Sequence, residues 1–222
     1  MFYKNIHYIE KLSGGKNLIF LHGWGQSLDS FLFIQNYLEN VNLYFLDLPG
    51  FGKSKIENIR DLNDYSKLIE EFINVKGIDN PILIGHSFGG RVILKMLEEK
   101  SYKAVLVSTP GFDLRSVKTR LKLCLNHFLK HKIVSKDYAS AKEELKIVMS
   151  NVIKNTKALN YKKIKAAVLI IHSKKDKVVK FKVAKMMNKR IKESSIVEIG
   201  KSHFPFLDNP YKFSKVIEAF IN

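Results

Sequence analysis

Residues 81–90 read PILIGHSFGG, in which a short apolar strand runs directly into the pattern Gly-x-Ser-x-Gly. An apolar helical pattern follows at residues 91–97. A serine at such a strand-to-helix turn presents its hydroxyl at the top of a sheet, and Gly85 and Gly89 allow the neighbouring backbones to approach closely. The segment therefore predicts a nucleophile elbow, with Ser87 as the candidate nucleophile.

A serine nucleophile needs a base that removes its proton and an acid that orients the base. Asp176 follows an apolar run at residues 166–171, and His203 follows another at residues 195–199. Catalytic side chains are typical of loops that a rigid sheet holds in place. We therefore predict a catalytic triad of Ser87, His203 and Asp176.

Short apolar runs alternate with helical patterns along the chain, which predicts an α/β fold with a mostly parallel sheet and helices on both faces. The helical patterns include apolar positions at residues 62–73, 183–191 and 213–220. The predicted strands are Asn17 to Leu21, Val41 to Asp47, Pro81 to Gly85, Ala104 to Ser108, Ala166 to Ile171 and Ser195 to Ile199.

The alternation is interrupted once, where two helical patterns follow each other without a strand between them. We therefore predict a helical cap at residues 111–165, inserted into a core of residues 1–110 and 166–222. The first cap helix would bury one apolar stripe and the second would run from about Ser140 to Lys154. These stripes consist of Leu114, Val117, Leu121, Leu125 and Phe128 in the first helix, and Leu145, Val148, Met149 and Val152 in the second.

The composition predicts one folded domain, because 45% of the 222 residues are hydrophobic. The first nine residues lack the apolar core of a signal peptide, and no apolar run is long enough to span a bilayer, so we expect a cytoplasmic location. Cys124 is the only cysteine, so an internal disulfide is excluded. His22, His86 and His172 show no metal-ligand spacing, and we expect them to be structural.

The formal net charge is +17, and residues 111–163 contain 13 Lys and Arg against 4 Asp and Glu. Lysines scattered over solvated faces, as in the product of an A/T-rich genome, would explain this charge. A basic amphipathic helix in the cap could also contact an anionic membrane. No nucleic-acid-binding module is recognisable, and we do not expect a nucleic-acid partner.

Five motifs together resemble the α/β-hydrolase family: LHGWG at residues 21–25, DLPGFGKS at 47–54, the elbow, Asp176 and His203. The resemblance implies the triad order Ser, acid, His. It also implies that the backbone N–H groups of Trp24 and Phe88 form the oxyanion hole and contact the substrate, and that no metal or organic cofactor is required. Asp113 remains an alternative acid.

Within that family, HGWG, DLPGFGKS and HFPF at residues 203–206 are similar to the pimeloyl-acyl carrier protein methyl ester esterases of biotin synthesis. Those enzymes often have Trp-Ser-Leu at the elbow, where this chain has His-Ser-Phe. The resemblance implies a serine esterase that forms an acyl-enzyme on a small or carrier-bound ester. Because acyl carrier proteins are acidic, the basic cap is a candidate docking surface for one.

Other reactions use the same residues, and the sequence leaves them open. A short-chain carboxylesterase, a thioesterase and a carbon–carbon hydrolase would each retain this triad. A non-catalytic receptor for a small ligand would retain the fold without the chemistry. Serine at the elbow argues against epoxide hydrolases and haloalkane dehalogenases, because those relatives use a carboxylate nucleophile.

Overall fold

The computed structural model describes residues 5–111 and 137–222, with side chains of its longest helix described from residue 144 onward. The strands are β1 (Tyr8–Lys11), β2 (Lys16–Leu21), β3 (Val41–Leu46), β4 (Ile82–His86), β5 (Ala104–Val107), β6 (Val168–His172) and β7 (Ser194–Glu198). The helices are α1 (Asp29–Leu32), α2 (Leu62–Lys76), α3 (Phe88–Met96), α4 (Asp137–Ala158), α5 (Phe181–Arg190), α6 (Pro205–Asp208) and α7 (Pro210–Ile221), with 3₁₀ turns at Phe33–Asn36 and Tyr161–Lys163.

The strands form one sheet in the order β1-β3-β2-β4-β5-β6-β7. Every neighbouring pair is parallel except β1 with β3, which is antiparallel. Strands β4, β5 and β6 are buried at every position, as their continuous apolar sequences require in a sheet covered on both faces. The carboxyl ends of these parallel strands share one edge of the sheet.

All six predicted strands are present, with ends that differ from the prediction by two residues or fewer. Strand β1 was missed. Its four residues are only partly buried or exposed, so they show no apolar alternation. It pairs with β3 at the edge of the sheet, from Tyr8 opposite Leu46 to Lys11 opposite Leu43.

Two hydrophobic layers cover the two faces of the sheet. One layer contains the buried residues of α2, α3, α4 and α5, and the other contains those of α1 and α7. Alternate residues of each central strand enter opposite layers: Leu106 of β5 joins the first and Val105 the second. The helices thus hold the central strands rigidly, and the strand ends form a fixed platform.

Helix α4 lies against the loop that follows β3 and the start of α2. Asn151 Nδ2 donates to the Arg60 carbonyl at 3.2 Å, and the Leu62 N–H donates to Asn155 Oδ1 at 3.3 Å. Its four predicted inward residues are all buried, namely Leu145, Val148, Met149 and Val152. The division into a core of residues 1–110 and 166–222 and a cap at 111–165 stays a prediction. The first predicted cap helix, Asp113 and Cys124 lie outside the described residues.

Candidate active site

Ser87 lies between β4 and α3, and its backbone adopts a positive φ, as a sharp strand-to-helix turn requires. Its φ is 48° and its ψ is −101°, so a non-glycine residue occupies a strained region. A Cβ added to Gly89 would lie 2.2 Å from the Leu21 carbonyl oxygen, and one added to Gly85 would lie 2.6 Å from the backbone of Gly89. Both glycines are therefore needed for the tight packing that maintains the turn, as the elbow motif predicts.

Asp176 and His203 meet at the carboxyl edge of the sheet, although 27 residues separate them. Asp176 follows β6 and His203 follows β7, and His203 Nδ1 donates to Asp176 Oδ2 at 2.8 Å. The other carboxylate oxygen of Asp176 accepts from the N–H groups of Val178 at 2.7 Å and Val179 at 2.9 Å. The carboxylate is fixed on both sides, and it fixes the imidazole in turn.

Burial disfavours the charged form of Asp176, but the interactions around it outweigh that cost. The hydrogen bond and charge of His203, together with the Val179 N–H, hold the pKa of the Asp176 carboxyl below its usual value. His172 Nε2 lies 3.4 Å from Asp176 Oδ2, the oxygen that accepts from His203, and it donates to the Val179 carbonyl at 2.8 Å. Asp176 is therefore ionised at neutral pH and suited to orient an imidazole.

Ser87 and His203 lie on adjoining loops. The ring centroids of His203 and His86, the residue before Ser87, are 4.8 Å apart, and the His203 carbonyl lies 3.0 Å from His86 Nε2. In the described part of the chain, no hydrogen bond joins the Ser87 hydroxyl to His203. Such bonds are often long without substrate and shorten during the reaction. Because Asp176 occupies Nδ1, the nitrogen left for Ser87 is Nε2.

The loop at residues 22–26 carries the predicted oxyanion donor Trp24. Across residues 5–111 and 137–222, the backbone N–H groups of Trp24 and Phe88 form no hydrogen bond. The neighbouring N–H groups are engaged, since Gly89 donates to the His22 carbonyl at 3.1 Å and Gly23 donates to Gln26 Oε1 at 2.8 Å. Two uncommitted donors beside the nucleophile are what an oxyanion hole requires.

Gln26 and His86 connect the loop that carries Trp24 to the loop that carries His203. No sequence motif marks Gln26 for this role. Gln26 Oε1 lies 3.0 Å from His86 Nδ1, while His86 Nε2 faces the His203 carbonyl. Burial holds the pKa of His86 well below its usual value, and the neighbouring His203 lowers it further. A neutral imidazole has one N–H, so His86 donates to one of these two oxygens at a time.

His22 and Asp47 join the oxyanion loop to the loop after β3. His22 Nδ1 donates to the Gly23 carbonyl at 2.8 Å, and Nε2 accepts from the Leu48 N–H at 2.9 Å. Burial lowers the pKa of His22 to about 4. Asp47 accepts from the N–H groups of Leu28 and Lys53 at 2.8 and 2.9 Å. The expected structural role of His22 is thus accounted for by two definite bonds.

Aromatic rings line the nucleophile's surroundings. The Trp24 ring centroid lies 5.1 Å from that of Phe88 and 4.9 Å from that of Phe51. Phe88 is 2% exposed and packs on Tyr65, so its ring belongs to the core. Trp24 is partly exposed and can contact a substrate with its ring, whereas Phe88 can do so only through its backbone.

Residues 5–111 and 137–222 contain no group of three or more His, Cys, Asp or Glu side chains arranged to hold a metal ion. No helix within them is both long and apolar enough to cross a membrane.

Comparison with known proteins identifies the family. A family model described as the alpha/beta hydrolase family matches residues 18–216. The chain belongs to that family. The fold class and the family predicted from the sequence are therefore confirmed.

Relatives of this hydrolase include proteins named as esterases. The pimeloyl-[acyl-carrier protein] methyl ester esterase of Wigglesworthia glossinidia brevipalpis is 29% identical over 94% of this chain and 95% of its own. Among solved structures, an esterase from Exiguobacterium antarcticum is 22% identical with a TM-score of 0.75, covering 97% of this hydrolase and 95% of the other chain. An alpha/beta hydrolase from the metagenome of Mar Chica lagoon sediments is 21% identical with a TM-score of 0.78, covering 97% and 94%. The predicted carboxylic ester hydrolase agrees with the name of the first relative, and the two solved structures share the fold.

Proposed function

We propose that this hydrolase cleaves a carboxylic ester, with Ser87 as nucleophile, His203 as general base and Asp176 as the orienting acid. The observation that carries the proposal is the 2.8 Å bond between His203 Nδ1 and an ionised, buried Asp176, on a loop adjoining a strained serine elbow. A hydrolase without this chemistry would have no need for a serine at positive φ beside a carboxylate-bound imidazole.

In the first half of the proposed reaction, His203 Nε2 takes the hydroxyl proton of Ser87 as Oγ attacks the ester carbonyl. Asp176 stabilises the imidazolium that forms without taking its proton. The developing oxyanion accepts from the N–H groups of Trp24 and Phe88, and each such donor is typically worth about 3 to 4 kcal/mol. The imidazolium then gives its proton to the leaving alcohol, and an acyl-enzyme remains on Ser87.

In the second half, water attacks the acyl-enzyme. His203 takes a proton from the water, the same two N–H groups hold the second oxyanion, and the proton returns to Ser87 Oγ as the carboxylic acid leaves. All of these steps use groups of this chain and one water molecule.

For the substrate, we propose the methyl ester of a pimeloyl-acyl carrier protein. The support is the Wigglesworthia relative, which is named as the esterase of that substrate and aligns over 94% of this chain, together with the HGWG and HFPF motifs. Short-chain alkyl esters, acyl thioesters and carbon–carbon bonds beside a ketone are the competing substrates for the same triad. A panel graded by acyl length, with carrier-bound and free methyl pimelate, ranks them by kcat/KM.

The decisive experiment labels the protein with a fluorophosphonate, which reacts with an activated serine. We expect the wild-type protein to be labelled and to hydrolyse esters. Ser87→Ala should abolish labelling and lower kcat by about 10⁶-fold. Circular dichroism and thermal unfolding of both proteins control for folding. A folded wild-type protein that is neither labelled nor active on any ester would contradict the proposal and favour a ligand receptor.

A further inference from the structure

The positive charge of this protein is concentrated in one segment. Residues 154–192 contain 14 Lys and Arg against one carboxylate, which is +13 of the total charge of +17. Residues 1–111 contain 12 Lys and Arg against 12 Asp and Glu, and are neutral. A genome that favours lysine codons would raise lysine throughout the chain without removing acidic residues from one segment. Base composition therefore does not account for this distribution.

The charges of this segment lie on the protein surface. All fourteen basic side chains are exposed, whereas the one carboxylate, Asp176, is 3% exposed and bonded to His203. We call the exposed Lys and Arg side chains of residues 162–192 the basic face. They belong to the 3₁₀ turn Tyr161–Lys163, the loop between β6 and α5, and helix α5, with Lys165 just after the turn and Lys192 just after the helix.

The elements of the basic face pack against one another. The Tyr161 hydroxyl donates to the Gly111 carbonyl at 2.9 Å, and a Cβ on Gly111 would lie 2.5 Å from the sulfur of Met187 in α5. Arg190 is near enough to Tyr161 to oppose the rise in the pKa of its phenol that burial causes. The 3₁₀ turn and α5 are therefore neighbours in space, and both carry exposed cations.

The basic face reaches the proposed active site. Lys174, Lys175 and Lys177 are exposed and flank Asp176 in the loop after β6. Lys174 forms an ion pair of 2.5 Å with Glu198, so its charge is partly compensated. The face thus begins beside the triad and extends away from it along α5.

We infer that the basic face docks an acidic protein that presents the ester to Ser87. Charges of one sign beside an active site raise the association rate of an oppositely charged partner. A membrane is less suited, because a helix that inserts into lipid exposes a stripe of apolar residues. Helix α5 buries Val183, Ala184 and Met187 in the core and exposes one large apolar side chain, Met186. This inference rests on the proposed function and names the kind of carrier that holds the substrate. It moves the expected docking surface from the cap toward α5.

The test uses two charge-reversal variants of the full chain. The first, Lys163→Glu/Lys185→Glu/Lys189→Glu, changes the basic face. The second, Lys11→Glu/Lys67→Glu/Lys212→Glu, makes the same charge change on exposed lysines elsewhere. The probes are methyl pimeloyl-acyl carrier protein and p-nitrophenyl butyrate, and kcat/KM is measured at low and high salt.

At low salt, we expect the basic-face variant to lose about tenfold in kcat/KM on the carrier-bound ester and to keep its rate on the small ester within about twofold. High salt should reduce the difference on the carrier-bound ester, because it screens the attraction. The control variant should retain both activities. Equal losses in the two variants, or an equal loss of the basic-face variant on both esters, would overturn the inference.

A binding experiment separates this inference from the proposed reaction. Fluorescence anisotropy of a labelled carrier protein is measured against Ser87→Ala protein with and without the basic-face substitutions. We expect binding that the substitutions weaken about tenfold or more at low salt. Absence of turnover of every ester would remove the proposed function, whereas the anisotropy still decides the docking surface. Tighter binding to anionic phosphatidylglycerol vesicles or duplex DNA than to the carrier would overturn it.

Discussion

The two sides of the candidate site are constructed by different means. On the nucleophile side, backbone geometry places Ser87 and the N–H groups of Trp24 and Phe88, and glycines make the necessary room. On the acid–base side, a side-chain hydrogen bond of 2.8 Å holds His203 on Asp176. The first side lies in a neutral half of the chain and the second adjoins the basic face. The difference indicates that the chemistry depends on local backbone on one side and on long-range pairing on the other.

Apart from removal of the nucleophile itself, the largest expected effect comes from breaking the acid–base side. Asp176→Asn keeps an oxygen for the N–H groups of Val178 and Val179 but removes the charge that selects the tautomer of His203. We expect kcat to fall by about 10⁴-fold, as in other triads. Steady-state kinetics on a small ester measures this.

The matched control is Glu198→Gln, which makes the same change in an exposed carboxylate at the end of β7. It should change kcat by about twofold or less, because exposed ion pairs contribute little. If Asp176→Asn behaved like this control, Asp176 would not be the orienting acid, and Asp113 would become the candidate.

A smaller effect is expected from loosening the nucleophile side. Gln26→Met preserves side-chain size but removes the oxygen that accepts from Gly23 and faces His86. The oxyanion loop would then shift, and a displacement of about 1 Å in a catalytic group costs about 10²-fold in rate. We expect kcat to fall by that order while KM changes little, since the oxyanion donors that the shifted loop would displace act on the transition state.

Gln26→Glu restores an acceptor oxygen at the same place and serves as the rescue variant. It should recover most of the activity that Gln26→Met loses. If the methionine variant is fully active, the oxyanion loop is held by its other contacts, such as the bonds of His22.

The smallest expected effect concerns the free energy of unfolding. It tests whether His22, on the nucleophile side, is held neutral, in contrast to the ionised Asp176 on the acid–base side. His22 has a pKa of about 4 in the folded protein and about 6.5 when unfolded, so the unfolded chain binds more protons between these values. Its contribution to stability is complete above about pH 6.5 and is lost as the pH falls toward 4. We expect a loss of about 2 kcal/mol at pH 5 from this residue.

Urea unfolding of the wild type and of His22→Asn at pH 7.5 and 5 measures this loss. The variant should be less stable at both values, because Leu48 loses its acceptor, but its stability should fall less between them. Buried groups whose pKa does not depend on His22, such as Asp176, contribute to both proteins alike and cancel in the difference. Parallel pH dependence in the two proteins would show that His22 is not held neutral.

Local sequence predicted the turn at Ser87, because an elbow is specified by consecutive residues. The six apolar strands were predicted for the same reason: burial on both faces leaves a continuous apolar run. Asp176 and His203 were chosen through their positions after such runs, and the structure places Asp176 Oδ2 2.8 Å from His203 Nδ1. The catalytic roles of Ser87, Asp176 and His203 stay a prediction.

Features that depend on distant partners were not predictable. Gln26 is a polar residue in a loop, and only the fold brings His86, 60 residues away, to its side-chain oxygen. Strand β1 exists because β3 offers a free edge, which a sequence of four mostly exposed residues does not reveal. The charge of residues 154–192 was not singled out, because lysines scattered over solvated faces explain a high net charge without reference to the fold.

The lysines that flank Asp176 also have a consequence for the end of the reaction. In the proposed reaction, ester cleavage converts a neutral group into an anion, and that anion would form near Lys175 and Lys177, which flank Asp176. Attraction to these ammonium groups would slow its escape when few salt ions are present. Product inhibition that weakens with ionic strength is therefore expected of this enzyme, and departure of the acid would limit turnover in dilute buffer.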